Sequence, residues 1–434
     1  MGERMVSPST NAGTTIPTPE AARIQALDSL RGFALLGILL LNIIGFGLHS
    51  AAYFNPIIDG ATSGANLVTW ATVDILFEGA MRALFSILFG AGVVLFTTGE
   101  AAKSGGIRYR RNAWLLVFGL FNVMVLLWDG DVLVTYALAG FILYGVREKS
   151  ARWLLTASGV LLVFITLKYL VMGAGMGFTR DAAEAVAAGQ QVDADMQEMA
   201  AAWADIQKDF APSPEEQQAQ LDARSGSYLS AWQYIANKAP DLFLFQVPVI
   251  LLLDALAMML LGMALYKSDV MSAGRSRAFY VRTALIGFSV GLVVNSFEVY
   301  RTIASDFDVL VTFAYTNPTY QFGRLGMAMG YLSVVMLVCQ SGALAWLMDR
   351  LAKVGRMALT NYLSHSLICL MIFSGAGLGL VGQLDRWMLY LVVLAIWVFQ
   401  LFFSHWWLTR FRFGPVEWLW RALTYGQRPS MQRG

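Results

Sequence analysis

Long apolar runs, separated by short polar connections, make up most of the chain. They cover residues 30–48, 70–97, 112–128, 131–147, 151–173, 241–266, 279–300, 323–347, 357–381 and 386–408. Each reaches or nearly reaches the ~20 residues that a helix needs to cross a bilayer core. The pattern predicts an all-α, polytopic membrane protein with about ten transmembrane helices. The third and fourth runs are short and meet in a tight polar turn, Trp128-Asp129-Gly130-Asp131. Residues 174–240 differ in kind: rich in Ala, Gln, Asp and Glu, they predict amphipathic helix on the outer face. Such a segment reads as a solvated cap or as a lid over an outward opening. The expected organisation is a disordered tail over 1–25, helices one to five over 26–173, the acidic loop over 174–240, helices six to ten over 241–409, and a basic tail over 410–434.

Lys and Arg orient this array. They gather before the first run (Arg4, Arg23) and in every second connection: Lys103 to Arg111, Arg147 to Arg152, Lys267 to Arg277, Arg350 to Arg356, then Arg410 onward. The 49–69 and 129–131 connections hold none. Basic connections stay on the cytoplasmic side, so the alternation predicts an even helix count with both termini in the cytoplasm. The first run is preceded by a polar Ser/Thr/Pro-containing stretch and lacks a small-residue cleavage site, so it reads as an uncleaved helix.

Composition agrees and narrows the function. Hydrophobic residues make up 57% of the chain, charged ones 14%, and mean hydropathy is +0.56. Soluble domains carry about 25% charged residues. The net charge of +2, with no basic stripe interleaved with aromatics, argues against a nucleic-acid partner. The sequence lacks the His-Glu-x-x-His zinc pattern, the Gly-x-x-x-x-Gly-Lys phosphate loop and the Gly-x-Ser-x-Gly elbow. No metal site is expected. Membrane lipids, and a small-molecule or lipid substrate, are the expected partners. Cys339 and Cys369 lie in apolar runs and read as small buried hydrophobes.

Charges at membrane depth are expensive, so they point to cavities or to one another. Asp28 and Arg31 open the first run three residues apart, on one helix face. They read as a cap with an interfacial arginine, or as an anion-binding arginine at the cytoplasmic mouth. Asn42 lies ~16 Å further along that helix, where a helix–helix hydrogen bond is its ordinary role. Asp74, Glu78 and Arg82 follow at i,i+4 spacing and predict a charged stripe on one helix, lining a cavity or pairing with a neighbour. The small residues of Phe85-Ser-Ile-Leu-Phe-Gly-Ala-Gly92 predict close helix packing. Asp129 and Asp131 are a solvated turn, or a carboxylate pair able to act as a base or hold a cation. Asp254, deep in an apolar run, must pair or protonate; Glu298, Arg301 and Arg324 are candidate partners. Arg31, Arg82 and Asp254 are expected to converge on one wet chamber.

Three histidines complete the candidates. His365 follows Asn361 by four residues, with Tyr362 and Ser366 close by, and reads as a packing hydrogen-bonder or a general base. His405 sits beside Trp406 and Trp407 in an apparent interfacial belt, and His49 lies at the outer end of the first helix.

Several stretches together resemble the YeiB-like family of bacterial inner-membrane proteins. They are Leu27-Asp-Ser-Leu-Arg-Gly through Asn42, Ala52-Tyr-Phe-Asn-Pro56, Leu84 through Gly92, Trp128-Asp-Gly-Asp131, Gly355-Arg-Met-Ala-Leu-Thr-Asn-Tyr362 and Gly414-Pro-Val-Glu-Trp-Leu-Trp-Arg421. That family is distantly similar to transmembrane acyltransferases, both the sugar O-acyltransferases and heparan-glucosaminide acetyltransferase. The shared feature is the Asp-x-x-Arg-Gly opening, with a polar residue eleven positions after the arginine. In the O-acyltransferases this residue is a histidine; here it is Asn42, as it also is in the lysosomal branch. The later histidine of that branch corresponds in spacing more nearly to Tyr53 than to His49.

The resemblance implies an acyltransferase-like helical bundle in the bacterial inner membrane. It would move an acyl group from a cytoplasmic donor, with acyl-CoA the candidate co-substrate, to an acceptor at the outer face. Asn42, His49, Asp129, Asp131 and His365 are the catalytic candidates. Asp28, Arg31, Tyr53, Asn55, Asp74 and Glu78, with Arg82, Trp128, Asp254, Arg324 and Asn361, are the binding candidates. A transporter or flippase that uses Asp74, Glu78, Arg82 and Asp254 as its polar path is the alternative. A non-catalytic lipid-binding protein on the same fold is a third reading.

Overall fold

The computed structural model describes residues 20–98 and 105–432, and among these the regular structure is helical, joined by turns and loops, with one isolated bridge, Phe411 with Gln432. The membrane bundle starts with α1 (Glu20–Gly47), followed by two 3-10 turns, Ser50–Tyr53 and Pro56–Asp59. Then come α2 (Gly64–Phe77), α3 (Ala80–Thr98), α4 (Gly105–Met124), α5 (Leu133–Val146) and α6 (Ala151–Ala187). A helical cap follows: α7 (Ala194–Phe210), α8 (Pro214–Ser225) and α9 (Tyr228–Asp241). A π-helical stretch, Leu242–Leu251, leads into α10 (Leu252–Lys267) and α11 (Arg277–Ala304). The single turn α12 (Val309–Val311) precedes a short π segment and α13 (Tyr320–Ser341). The chain closes with α14 (Ala345–Arg356), α15 (Ala358–Phe373), α16 (Arg386–Arg410) and α17 (Pro415–Tyr425).

Seven helical runs among the described residues are long and apolar enough to cross a membrane, and two shorter apolar helices, Leu133–Val146 and Ala358–Phe373, accompany them. The all-helical, multi-pass expectation holds. The shorter members are enclosed by protein rather than lipid: eight of the fourteen residues of α5 are buried. The lipid-like exterior lies elsewhere, on exposed apolar residues of α6, α11 and α16 such as Val163, Ile286 and Leu391.

Four expectations change. The second run is two helices rather than one. It breaks at Glu78-Gly79, where Gly79 has φ +65° and a Cβ would meet the Tyr320 hydroxyl at 2.3 Å, so only glycine fits. The 241–266 run begins as a wide π turn around Pro248, which has no N–H to give the i−4 carbonyl. The acidic loop starts later than expected, because α6 continues to Ala187, and it docks tightly. Arg224 of α8 donates to the carbonyls of Gly45, Phe46 and Leu48 at 2.7–2.8 Å, satisfying the end of α1. The basic tail is not a tail: α17 folds back onto α4 and α15. Of the expected N-terminal tail, residues 20–25 are helical and 1–19 lie outside the described residues.

Close crossings knit the centre. A Cβ on Gly32 would meet the Leu351 carbonyl at 2.0 Å, and one on Gly355 would meet the Asp28 carbonyl at 2.0 Å, so α1 and α14 touch backbone to backbone. The packing role expected for Gly90 holds too: its Cβ would meet the Met259 carbonyl of α10 at 2.0 Å.

Candidate functional site

A partly enclosed cavity of about 290 Å³ lies between α1, α3, α4, α5, α14, α15 and α17. Five arginines line it: Arg31, Arg108, Arg111, Arg356 and Arg421. A single carboxylate, Glu417, stands among them. The lining positions on α5 run from Leu133 to Tyr144, ~16 Å at 1.5 Å per residue. The arginines cluster near the Tyr144 end. Arg108 stacks on the Tyr144 ring at 4.7 Å, and Arg111 stacks on Trp420 at 4.2 Å. Below them the wall is apolar, with Phe85, Leu88, Phe89, Leu115, Leu133 and Leu359. Gly92 faces this space with nothing within 4 Å of a notional Cβ.

Two tyrosines form the floor. The Tyr136 hydroxyl bonds Ser86 Oγ at 2.6 Å. The Tyr362 hydroxyl accepts from Val132 N–H at 3.1 Å and donates to Asp131 Oδ1 at 3.4 Å. Behind it Asp131 is buried, accepting from Asn122 Nδ2 at 2.8 Å and Val134 N–H at 2.9 Å. Chemically the cavity pairs a guanidinium-rich mouth, whose planar forks match phosphate oxygens, with an apolar shaft and a polar floor.

Glu417 is bonded to the start of α15. Its Oε1 accepts from the N–H groups of Leu359 and Thr360 at 2.7 and 3.0 Å, and its Oε2 accepts from Thr360 Oγ1 at 2.5 Å. It therefore caps the start of α15, where N–H groups lack intrahelical partners. Desolvation pushes its pKa up from the ordinary carboxylate range, and the bonds from Thr360 and Leu359 oppose that push.

A second polar group sits at the α2–α3 break. Tyr320 donates to Glu78 at 3.0 Å and accepts from Arg82 Nη2 at 2.8 Å, while the Tyr53 hydroxyl reaches Glu78 at 3.2 Å. Arg324 grips Asp254 with both terminal nitrogens, one at 2.9 Å, and also reaches Gln321 Oε1. Of the candidate partners for Asp254, the fold selects Arg324. Glu298 accepts instead from Thr319.

The predicted residues therefore divide. Arg82 and Asp254 share one network through Tyr320 and Arg324, whereas Arg31 lines the separate arginine cavity and donates to Asp28 at 2.6 Å. One chamber joining all three does not form. The helix break interrupts the run of Asp74, Glu78 and Arg82, yet Glu78 and Arg82 still meet at the Tyr320 hydroxyl. Asp74 remains within electrostatic range of Glu78 and Glu298. Asp129 and Asp131 do not act as a pair: Asp129 faces Lys238 at 4.0 Å, whereas Asp131 turns inward.

Asn42 is half-buried on α1 and does not line the cavity. His49 is structural in geometry, its Nδ1 accepting from Ala51 N–H at 3.1 Å to start the first 3-10 turn. Asn55 does the same for the second turn through Ile57 N–H and also donates to the Phe210 carbonyl. Trp128 stacks on Phe46 at 3.8 Å. Asn361 donates to the Val354 carbonyl and Ser404 Oγ, and His365 Nε2 meets Gln400 Oε1 at 2.8 Å, joining α15 to α16.

Sequence reasoning missed Arg108, Arg111, Arg356 and Arg421 as site residues because each also served as an orientation charge. The stacking aromatics Trp420 and Tyr144 were the available signal: arginines spaced to meet aromatic faces exceed what orientation requires.

The comparisons with known proteins follow this geometry. A protein in Escherichia coli (strain K12), "Uncharacterized protein YeiB", is 31% identical over 411 residues, covering 93% of this chain and 96% of that protein. The chain belongs to the YeiB-like family. "Uncharacterized protein YxaH" of Bacillus subtilis (strain 168) is 29% identical over 420 residues, covering 94% of this chain and 96% of that protein. The model of a family described as "Protein of unknown function (DUF418)" matches residues 265–427. In this YeiB-like chain that matched stretch supplies Arg356, Tyr362, Glu417, Trp420 and Arg421 to the cavity.

Proposed function

We propose that this YeiB-like protein binds a phosphate-bearing acyl donor of the acyl-CoA class in the arginine cavity and passes the acyl group toward an acceptor at the opposite face. The observation that carries this reading is the cavity's division of labour. Five arginines gather at one end, an apolar shaft follows, and two tyrosine hydroxyls form the floor. The head group's phosphates would engage the guanidiniums as charge-assisted, bidentate contacts. The thioester carbonyl would rest near Tyr136 and Tyr362, where a hydroxyl can stabilise developing negative charge. The alternation of Lys and Arg along the chain supports a cytoplasmic mouth, an inner-membrane location and cytoplasmic termini.

The test is direct binding of a medium-chain acyl-CoA to the purified protein. Charged hydrogen bonds contribute ~1.5–3 kcal/mol each, so Arg111→Ala or Arg31→Ala should weaken Kd by about 10- to 100-fold. Absence of binding at millimolar concentrations by the folded protein would refute the reading. The part-buried network of Glu78, Arg82, Asp254 and Arg324 favours one competitor, a transporter or flippase. Substrate movement in proteoliposomes that Asp254→Asn abolishes, without any acyl transfer, would select it.

A further inference from the structure

A second polar opening lies at the other end of the bundle from the arginines. On α3, Ala80, Met81, Ala83 and Leu84 are fully buried, yet Arg82 between them keeps accessible surface. The pattern repeats on α10, where Ala255, Ala257 and Met258 are buried and the Asp254 carboxylate stays 19% exposed. Tyr53, Glu78 and Tyr320, joined to Arg82 in one hydrogen-bonded chain, are half-buried too. Charged groups on interior helices keep such surface toward a polar space, because hydrocarbon rejects them. Two helices fix its place. Arg82 precedes Ser86, the partner of Tyr136 at the cavity floor, by one turn of α3. Tyr53 follows the end of α1, whose start carries Arg31.

The charges around this opening are unevenly matched. Asp254 is held by Arg324, and Glu78 is linked to Arg82 through the Tyr320 hydroxyl. Two further carboxylates, Asp74 on α2 and Glu298 on α11, lie within electrostatic range of Glu78. Neither forms an ion pair among the described residues, and Arg386, which also acts on Asp74, is held by Asp59 at 2.7 and 2.8 Å. Asp74 accepts no side-chain hydrogen bond among the described residues, and Glu298 accepts from Thr319 through one oxygen. Arg82 has capacity to spare as well: Nη2 donates to Tyr320, while Nε is buried without a partner. The acids do not form a metal-binding group among the described residues. An ammonium brings three donors and no acceptor, which is what the carboxylates lack. An anionic oxygen is what the guanidinium lacks.

We infer that this opening binds a small zwitterion, with its ammonium among Asp74, Glu78 and Glu298 and its anionic group on Arg82. An aminoalkyl phosphate has this chemistry, whether it is the headgroup of a membrane lipid or a free molecule. The inference goes beyond the donor reading and does not rest on it, since that reading concerns the arginine cavity alone.

The test uses the full chain, delipidated in a neutral detergent, and isothermal titration. The probes are phosphoethanolamine and a short-chain phosphatidylethanolamine. Saturable binding of either, weakened about tenfold by Asp74→Asn or by Glu298→Gln, is the expected result, the scale of one lost charged hydrogen bond. Both substitutions keep the side-chain shape, so either serves if the other does not fold. Ethanolamine separates the two ends of the ligand: Arg82→Gln should leave its affinity unchanged and weaken phosphoethanolamine about tenfold. Binding of the lipid probe alone assigns the site to a membrane headgroup, and binding of the free probe assigns it to a soluble ligand. No saturable binding of either probe by the folded protein would overturn the inference. So would binding that both carboxylate variants retain in full. Acyl-CoA binding reports on the arginine cavity, so the two readings fail separately.

Discussion

Arg324 on α13 holds Asp254 on α10 through both terminal guanidinium nitrogens, with the arginine side chain fully buried and the carboxylate 19% exposed. The two are far apart in sequence, and the pair ties the centre of the bundle together across helices that each look uniformly apolar. Removing one member strands the other. Breaking a buried pair this way costs ~3–5 kcal/mol, whereas replacing both by apolar residues is often close to neutral. Asp254→Leu and Arg324→Leu should each lower the unfolding temperature sharply in detergent, and the double variant should recover most of the loss. A double variant as unstable as the sum of its singles would mean that the pair's partners, Gln321 among them, matter more than the pair.

Two glycines two residues apart should behave oppositely. A Cβ at Gly90 would strike the Met259 carbonyl at 2.0 Å, while one at Gly92 meets nothing within 4 Å. Overpacking a close helix crossing costs ~1–3 kcal/mol, so Gly90→Ala should destabilise the protein. Gly92→Leu should fold normally and fill the cavity. Thermal unfolding and acyl-CoA binding, measured on both variants, separate the two effects: the first loses stability, the second only binding.

Arg224 clamps the α7–α9 cap to the membrane bundle. Its three bonds to Gly45, Phe46 and Leu48 are charge-assisted, and they fall on the negative end of the α1 dipole. Arg224→Ala should raise amide hydrogen exchange across residues 213–241 and at the end of α1, leaving the middle of α1 protected. Unchanged exchange in α8 and α9 would show that the cap is held by other contacts, such as Tyr228 to the Val125 carbonyl.

His49 should make the structure just after α1 acid-sensitive. Burial pushes its pKa down to about 4 from 6.5, and the nearby Lys238 and Arg224 charges push the same way. The neutral ring is also what accepts from Ala51 N–H. The unfolded chain takes up this proton near pH 6.5, before the folded protein does. Stability from this group is therefore complete above pH 6.5 and falls as pH drops toward 4, by at most about 3 kcal/mol at 1.36 kcal/mol per pH unit. His49→Asn keeps a short capping acceptor without titrating. The stability difference between wild type and this variant should change across pH 6.5–4; a constant difference would disprove the assignment.

The sequence alone determined the class of molecule. Apolar runs near twenty residues long admit little except membrane helices, because hydrocarbon accepts a backbone only when its polar groups pair internally. It also showed that Asp254 needs a partner and that the 85–92 stretch packs closely, since both follow from the cost of a local group in its local surroundings. Tertiary structure decided which groups meet. Arg324 rather than Arg301 reaches Asp254, Gly79 ends one helix under the Tyr320 ring, and α17 folds back to bring Arg421 and Glu417 beside Arg31. These choices depend on how helices cross. Hydrophobic periodicity reports which face of a helix is buried and carries no information about which distant residue is buried against it.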